Sequence, residues 1–484
     1  MKTLLLFPFQ LNQIYISELG IDFKNIIIFD HLSFYTRYKF HKKRIALHRS
    51  ALLHFVEAHK HYPIMHLWIE DLDDFYQTYN NNNTYMYYPN DRADMSFIEP
   101  LSNVHFYDDP LFLVNRQEWQ SLLTKKPWKM DTIYRQLRMK YNILMDSGRP
   151  IGGKYSYDGD NRKPYKKGLT FHPNMTFDLD SISMDVIHWT NALFKDHPGE
   201  VTTIDYPVSR TQALEALDHF IHYRLATFGD HQDVMVKHDP FMSHSLLSTS
   251  LNLGLLTPIE VIQKAEKAYH DHLANIEPVE GFIRQILGWR EYIRGVYFMT
   301  PNYHDKNAFN HHLKLPDFYW TGNTELNCLS HTIKETISNS YNHHIQRLMI
   351  LSNYANLIGV EPKELNDWFN TMYVDAFDWV VTPNVMGMGL YADGGQMSTK
   401  PYISGASYIK KMSNYCDGCK YNPTIKTGEK ACPFNSLYWH FIDTHKDKLE
   451  NNPRMSMMLN LHHKMEKELK TSYKEQAKKH IESI

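Results

Sequence analysis

Four cysteines are the residues of this sequence whose type and spacing point most directly to chemistry. Three lie in one short stretch, as Cys416-x2-Cys419 followed by Cys432, and the fourth, Cys328, lies far upstream. Thiolates from a tight turn and from elsewhere in a fold can converge on one metal centre, either zinc or an iron–sulfur cluster. Pro433, directly after Cys432, resembles the ending of many cluster-binding segments. Two disulfides or unrelated buried thiols are the alternatives.

A histidine and two arginines in the second half of the chain are candidate catalytic or anion-binding groups. His344 and Arg347 have helical i,i+3 spacing, so they share one face of a helix. Histidine is the commonest proton donor near neutral pH. Arg290 lies in an apolar helical pattern beside aromatic residues, where its charge needs an internal carboxylate or a bound anion.

Two turns carry groups that suit a phosphate-containing, flat ligand. The segment 243–254 is rich in hydroxyls and leads into a helix, an arrangement that suits a diphosphate, although a plain N-cap cluster explains it too. The segment 391–396 contains Gly394 and Gly395, which let the backbone approach a flat ligand, and Asp393 is an acceptor there.

The composition limits the classes of function. Apolar residues make up 43% and charged residues 22%, which describes an ordinary soluble globular protein. The net charge is −2, so contact with nucleic acid requires a local basic patch. The irregular stretch from Gly148 to about Thr202 is such a patch or a solvated linker. The apolar runs are too short to span a bilayer, so we expect a cytoplasmic protein.

Strand and helix patterns alternate over about the first 115 residues and predict a mainly parallel α/β domain. A G-x-G-x-x-G motif is absent, so a dinucleotide fingerprint is excluded. We divide the chain into an α/β domain (1–128), a linker with a basic loop (129–202) and an all-helical domain (203–484). The predicted strands are Thr3–Phe9, Asn25–Phe29, Ile64–Ile69, Tyr85–Tyr88 and Val104–Tyr107. The predicted helices include Phe40–His59, Arg210–Thr227, Pro258–Ile276, Gly281–Phe298, Cys328–Leu357, Glu361–Trp379, Pro433–His445 and Arg454–Ile484.

Several motifs, spread over essentially the whole chain, occur together in one known family. They are Cys416-x2-Cys419-x-Tyr421, Ala431-Cys432-Pro433-Phe434-Asn435, Pro383-Asn384, Ala392-Asp393-Gly394-Gly395, Lys400-Pro401-Tyr402, Gly288-Trp289-Arg290-Glu291-Tyr292 and Asn161-Arg162-Lys163-Pro164. The sequence therefore resembles the bacterial iron–sulfur photolyases and cryptochromes, the prokaryotic (6-4) photolyase group.

The resemblance implies a photolyase fold and light-driven repair of (6-4) photoproducts in UV-damaged DNA by a monomer. It implies FAD in the helical domain, an antenna in the α/β domain, typically 6,7-dimethyl-8-ribityllumazine, and a [4Fe–4S] cluster on Cys328, Cys416, Cys419 and Cys432. His344 would protonate the lesion, with His343 beside it and Tyr402 near the lesion. Arg347 and Asp393 would pair beside the flavin. The other implied residues are Ser245, Ser248, Gln285, Arg290, Asn384 and Gly394 for the cofactor, Trp320 and Trp368 for electron relay, and Arg162, Lys163, Lys166 and Lys167 for DNA.

Three departures and two rival functions qualify the resemblance. The segment after the first strand reads Phe7-Pro8-Phe9-Gln10 where relatives commonly have Gly-Asp-Gln, which leaves the antenna's identity open. Leu348 replaces a second histidine of eukaryotic enzymes, and Phe369 is redox-inert where a relative uses tyrosine. A cryptochrome-like photoreceptor with the same cofactors is one rival. A zinc-stabilised helical protein that binds nucleic acid is the other.

Overall fold

The computed structural model describes residues 2–80, 83–124 and 126–484. Its N-terminal part contains a five-stranded parallel sheet in the order β3-β2-β1-β4-β5. The strands are β1 (Lys2–Leu6), β2 (Asn25–His31), β3 (Ile64–Ile69), β4 (Asn83–Tyr87) and β5 (Val104–Tyr107). β1 ends earlier than predicted because Pro8, which has no N–H group, cannot continue the ladder. The predicted parallel α/β class is confirmed.

Helices connect the strands and cover the sheet, as parallel crossovers require. The helices of this part are α1 (Ile14–Ser17), α2 (Ser33–Thr36), α3 (Lys42–Ala58), α4 (Leu72–Tyr79), the 3-10 helix Arg92–Phe97 and α5 (Arg116–Leu122). α3 confirms the helix predicted over Phe40–His59. It buries Ile45, Ala46 and Leu47 completely.

The connection between the two halves is more ordered than the sequence suggested. It contains α6 (Met130–Tyr141), a short hairpin of β6 (Met145–Asp146) and β7 (Arg149–Pro150), the 3-10 turn Ile151–Gly153, and α7 (Ser181–Leu193). α7 was not predicted. Its N-cap Asp180 accepts a hydrogen bond from the Ser183 N–H, and the Ser183 hydroxyl meets that of Ser50 on α3 at 3.0 Å. A helix that packs on α3 thus lies inside the predicted linker.

The remainder is helical, as predicted. Its helices are α8 (Arg210–Tyr223), α9 (Leu225–His231), α10 (Ser248–Asn252), α11 (Pro258–His270), α12 (Ile276–Ile283), α13 (Glu291–Met299), the 3-10 turn Tyr303–Asp305, α14 (Phe318–Thr321), α15 (Asn327–Asn339), α16 (Asn353–Ile358), α17 (Pro362–Met372), α18 (Asp378–Thr382), α19 (Ala406–Met412), α20 (Pro433–Leu449), α21 (Ser456–Lys464) and α22 (Lys467–Ile481). None of the helices described here is long and apolar enough to cross a membrane.

Three π-helical segments occur in the helical half, two of them inside the predicted helices Gly281–Phe298 and Cys328–Leu357. These are Arg284–Arg290, Gln346–Ser352 and Pro383–Gly389, each of which continues into or from an α-helix. The prediction of one helix over Cys328–Leu357 is wrong, because α15 ends at Ser340, whose φ is +54°. A π turn misaligns the helical hydrogen-bond ladder and is frequently found at functional sites. The three π segments therefore mark where to look for a site.

Candidate functional site

The three π segments enclose a cavity of about 1860 Å³ in the helical domain. A small-molecule site usually occupies roughly 300–1,000 Å³, so this cavity has room for a large cofactor and part of a second ligand. Most of the residues that the sequence analysis assigned to cofactor and lesion line it. They are Ser245, Ser248, Gln285, Arg290, His344, Arg347, Asn384, Gly394 and Tyr402.

Arg290 faces this cavity with an unused donor. Its Nη1 donates to the Leu111 carbonyl at 2.9 Å, and its guanidinium stacks over Phe112 at 3.9 Å. Its buried Nε has no hydrogen-bond partner. Burial lowers the pKa of Arg290 to about 10. A buried donor without a partner is costly, so the site suits an anionic or acceptor-rich ligand.

The hydroxyl-rich turn is held in a strained backbone. Leu246, between the two cavity-lining serines, has φ +59°, a region that non-glycine residues seldom adopt. Such strain persists where the surroundings fix it, often at ligand sites. The Ser248 hydroxyl at the start of α10 donates to Asp375 at 2.8 Å. The turn thus belongs to the hydrogen-bond network of the cavity.

Arg347 pairs with a carboxylate that the sequence analysis did not select. Its Nη1 and Nη2 each lie 3.1 Å from an oxygen of Asp375 in a bidentate pair, and the guanidinium covers the Tyr373 ring at 4.1 Å. The predicted pairing with Asp393 is wrong. The Asp393 carboxylate instead accepts hydrogen bonds from the Tyr303 hydroxyl at 2.6 Å and from the N–H groups of three following residues. Asp393 therefore shapes the glycine turn from behind the cavity.

His344 is the accessible member of a group of three histidines. Its side chain is 51% exposed, and its Nε2 lies 3.3 Å from Asp233 Oδ1. His343 is 1% exposed and lies outside the cavity lining, with both ring nitrogens unpartnered. Its ring stacks on that of His244 at 4.6 Å. Burial lowers the pKa of both His244 and His343 well below the usual range. The two buried rings are therefore held neutral, and His344 is the member of the group that is exposed and contacts a carboxylate.

These three histidines do not have the geometry of a metal site. Their ligand atoms lie within 4.8 Å of one another, the one such group of three or more found in the described part of the chain. However, the ring planes of His244 and His343 are only 17° apart. The nitrogen lone pairs lie in the ring planes, so two stacked imidazoles cannot both point at one ion. The cluster is better explained as a polar pocket.

The four cysteines come together from three elements. Cys328 lies in the first turn of α15, Cys416 and Cys419 form a turn closed by a 3.2 Å backbone hydrogen bond, and Cys432 is the N-cap of α20. All four are free thiols. Burial raises the pKa of Cys328 well above the usual range, and the charges of the other three thiols raise it further. The predicted convergence of sulfurs is therefore present in the fold.

The two predicted relay tryptophans lie at different depths. Trp368 is 1% exposed, and Trp320 is 46% exposed. Trp368 donates through Nε1 to the Tyr319 carbonyl at 3.1 Å, and its ring contacts that of Tyr319 at 5.3 Å. Phe369, next to Trp368, lines the cavity. Ring contacts thus run from Phe369 at the cavity through Trp368 to Tyr319, and Trp320 is the next residue along the chain.

The predicted DNA-binding residues of the loop differ in their surroundings. The exposed Arg162 lines the cavity and pairs with Asp158 at 2.5 Å. Lys163 is neutralised by Asp230 at 2.7 Å, and Lys166 and Lys167 are exposed. Further cations line the cavity, and the sequence analysis missed them because they are scattered along the chain. They are Lys126, Lys129, Arg135, Lys400, Lys448 and Arg454.

Comparison with known proteins gives consistent matches. A family model described as deoxyribodipyrimidine photo-lyase-related protein matches residues 5–206. A protein of Agrobacterium fabrum, described as a (6-4) photolyase, is 44% identical over 355 residues, which cover 73% of this chain and 70% of that protein.

Two solved structures share the fold at low sequence identity. A bacterial class III photolyase from Agrobacterium tumefaciens matches with a TM-score of 0.55 and 16% identity, covering 98% of this chain and 91% of that one. A Synechocystis cryptochrome matches with a TM-score of 0.56 and 14% identity, covering 80% of this chain and 83% of that one. The predicted photolyase/cryptochrome fold is confirmed.

Proposed function

This chain belongs to the photolyase/cryptochrome family, and we propose that it is a light-driven DNA repair enzyme that reverses (6-4) pyrimidine–pyrimidone photoproducts. The observation that carries the lesion assignment is His344, an accessible imidazole at the wall of a cofactor-sized cavity with a carboxylate at 3.3 Å. A photoreceptor has no need of a positioned proton donor at this place. A repair reaction that ends in proton transfer does.

The family implies FAD, and the cavity fits it. The unpartnered Nε of Arg290 and the Ser245 hydroxyl suit a diphosphate, whereas the Ser248 hydroxyl beside them is bonded to Asp375; Gly394 lets backbone approach a ring system. Gln285 and Asn384 add amide groups to the wall. When bound and reduced, FAD supplies the light absorption and the electron. The Arg347–Asp375 pair keeps a buried cation compensated beside it.

The chain's own residues position the lesion and the proton. A (6-4) lesion inside a duplex must be flipped out to reach a cavity, and a damaged base costs less to flip. His344, the proposed proton donor, places its Nε2 3.3 Å from Asp233 Oδ1, a contact that orients the ring. His343 and His244, held neutral by burial, do not compete as donors. Tyr402 presents a half-buried phenol to the same space.

We place an iron–sulfur cluster, rather than zinc, on Cys328, Cys416, Cys419 and Cys432. A tetrahedral zinc site with Zn–S bonds of about 2.3 Å holds its sulfurs about 3.8 Å apart. Among the described residues, no three of these sulfurs lie mutually within 4.8 Å, so at least one pair among any three is farther apart than in a closed zinc site. A cluster bridged by its own sulfides suits that spacing. Such a centre links α15, the turn 416–419 and α20 covalently.

DNA is held by the charged mouth of the cavity. Arg162 and the scattered cations Arg135, Lys400 and Arg454 surround the opening, and Lys166 and Lys167 extend the positive surface along the loop. Such contacts bind phosphates independently of sequence and weaken with salt. Trp368 and Trp320 form the path by which an electron reaches the cavity from the surface. Monomeric state and cytoplasmic location stay predictions.

One assay tests the proposal directly. Flavin-loaded protein is incubated with a duplex oligonucleotide that carries a single (6-4) photoproduct, under blue light and in the dark, with a cyclobutane dimer as the matched control. We expect light-dependent recovery of the (6-4) strand alone. Light-induced flavin changes without repair would favour a cryptochrome-like photoreceptor. Repair of the cyclobutane dimer alone would overturn the lesion assignment.

A further inference from the structure

The parallel sheet has a second place where a ligand is expected. In an open parallel α/β sheet, ligands bind in the crevice beyond the carboxyl ends of the strands, where the strand order reverses. Here the order reverses beside β1, which pairs with β2 on one side and with β4 on the other. The residues after β1, from Phe7 to Gln10, lie at this crevice, and the helical domain closes it from the other side.

The crevice is filled by aromatic rings of this chain. The Phe9 ring stacks on Phe7 with centroids 5.4 Å apart and planes 7° apart. It also meets the edge of Phe34 at 6.0 Å, and Phe377 of the helical domain at 5.5 Å. These rings pack at the distances of a well-formed aromatic core. The ring of Phe9 thus joins the two domains where a ligand would separate them.

The space that remains is small. The cleft lined by Phe9, Phe34 and Phe377 has a volume of about 140 Å³, and a neighbouring gap behind Phe9 has about 10 Å³. Ligand sites usually have roughly 300–1,000 Å³. A bicyclic lumazine with its ribityl chain belongs to that size class, so it does not fit the cleft as the side chains stand.

The polar groups of the cleft are already satisfied within the chain. Asp94 pairs with Arg37, and the Arg44 guanidinium donates to the Ala376 carbonyl at 3.1 Å. The Asp91 carboxylate accepts the N–H groups of the first residues of α18 at 3.1 and 2.8 Å. Among the described side chains that line this cleft, none has a buried polar atom without a partner. The buried polar atoms of the cleft are thus paired within the chain.

We propose that this protein carries no lumazine antenna, because the Phe9 cluster (Phe7, Phe9, Phe34 and Phe377) occupies the antenna's crevice and serves as a fixed seam between the domains. This proposal departs from the antenna that the family resemblance implies. Where the proposed function holds, the light for repair is absorbed by the cofactor of the helical cavity alone. The exclusion of lumazine itself does not depend on which lesion is repaired.

A binding experiment tests this without any repair assay. Purified flavin-loaded protein is dialysed against 6,7-dimethyl-8-ribityllumazine, and the retained lumazine is measured by its fluorescence after denaturation. We expect the wild type to retain only traces, also after co-expression with a lumazine-producing enzyme. Stoichiometric retention by the wild type would overturn the proposal.

A second part of the experiment removes a ring from the crevice and measures whether lumazine then binds. Phe9→Ala, and separately Phe34→Ala in case the first variant folds poorly, should bind lumazine at least about tenfold more tightly than wild type, since no packed ring must be displaced. Phe23→Ala removes a buried ring that packs against Tyr85, away from the crevice, and should gain nothing. If neither opened variant binds while its flavin content is normal, the rings are not what excludes lumazine, and the proposal fails.

The action spectrum supplies a separate readout. If (6-4) repair is observed, its rate per photon should follow the absorption of reduced flavin, with no added band when lumazine is supplied. If no repair is observed, the proposed function fails, but the dialysis result still decides the antenna. The two failures are therefore distinguishable.

Discussion

Two clefts of this protein are lined by buried polar side chains, and the hydrogen bonding of those side chains differs between the clefts. In the helical cavity, Arg290 Nε and His244 Nε2 are buried without partners. The interdomain cleft is the space lined by Phe9, Phe34 and Phe377. The polar side chains at its wall form ion pairs or hydrogen bonds with other groups of the chain, namely Arg37, Arg44 and Asp91. Because a buried unpaired donor costs free energy that a ligand can recover, only the first cleft is built around something absent from the polypeptide.

Whether a buried polar atom has a hydrogen-bond partner, rather than burial alone, therefore distinguishes residues that bind a ligand from residues that stabilise the fold. In the helical cavity, substitutions should change cofactor content and repair. In the interdomain cleft, substitutions should change the free energy of unfolding. Leu246, with its strained backbone, and the three π segments lie at the helical cavity. Unfavourable backbone conformations of this kind are typically kept where they serve a functional site.

The largest effect is expected at the proposed iron–sulfur centre. Cys328→Ser should abolish soluble, flavin-loaded protein, because metal-centre binding free energies on the order of 10 kcal/mol match the whole stability of a domain. Soluble yield, iron content and flavin absorbance measure this. Ser436→Ala, a buried substitution in the nearby α20, is the control and should cost about 1 kcal/mol or less. Normal yield of Cys328→Ser with unchanged iron would remove Cys328 from the ligands.

The next largest effect concerns the proton donor. His344→Ala should reduce (6-4) repair by about 10²–10⁴-fold while flavin and iron contents stay unchanged, because only proton transfer is lost. Single-turnover repair under saturating light measures it. His312→Ala removes an exposed histidine of the same domain and should repair at the wild-type rate. Full activity of His344→Ala would contradict the assigned role.

Structural features that depend only on residues close together in the chain were predictable from the sequence. The apolar runs of β2 and β3 and the spacing of α3 each depend on residues close together in the chain, and these elements form as predicted. Asp375, Asp233 and His244 were missed because each acquires its role from a partner far away in sequence. Asp393 was assigned from a motif, yet a motif does not show which way a carboxylate turns.

Substitution in the Arg347–Asp375 pair should have an effect of intermediate size on flavin binding. Asp375→Asn should weaken flavin retention by about 10–100-fold, because the buried guanidinium loses its counter-charge. Asp393→Asn should leave flavin affinity closer to wild type and act mainly on the turn that Tyr303 and the following N–H groups stabilise. Equilibrium dialysis against FAD compares the two variants. The opposite ranking would restore the pairing first inferred from the sequence.

The smallest effect belongs to the interdomain cleft and depends on pH. Burial, and then the charge of Arg44, lower the pKa of His48 well below its usual range, and its Nε2 lies 3.1 Å from the Val374 carbonyl. Below about pH 6.5 the unfolded chain binds a proton that the folded chain does not, so stability is lost as pH falls.

Between pH 6.5 and 5.5 the wild type should lose about 1 kcal/mol more than His48→Gln, which keeps a donor for Val374 but does not titrate. Denaturant unfolding at both pH values measures this, with the exposed His61→Gln as control. Equal losses in all three proteins would mean that His48 is protonated in the fold, and the cleft would then hold an unbalanced charge like the cavity.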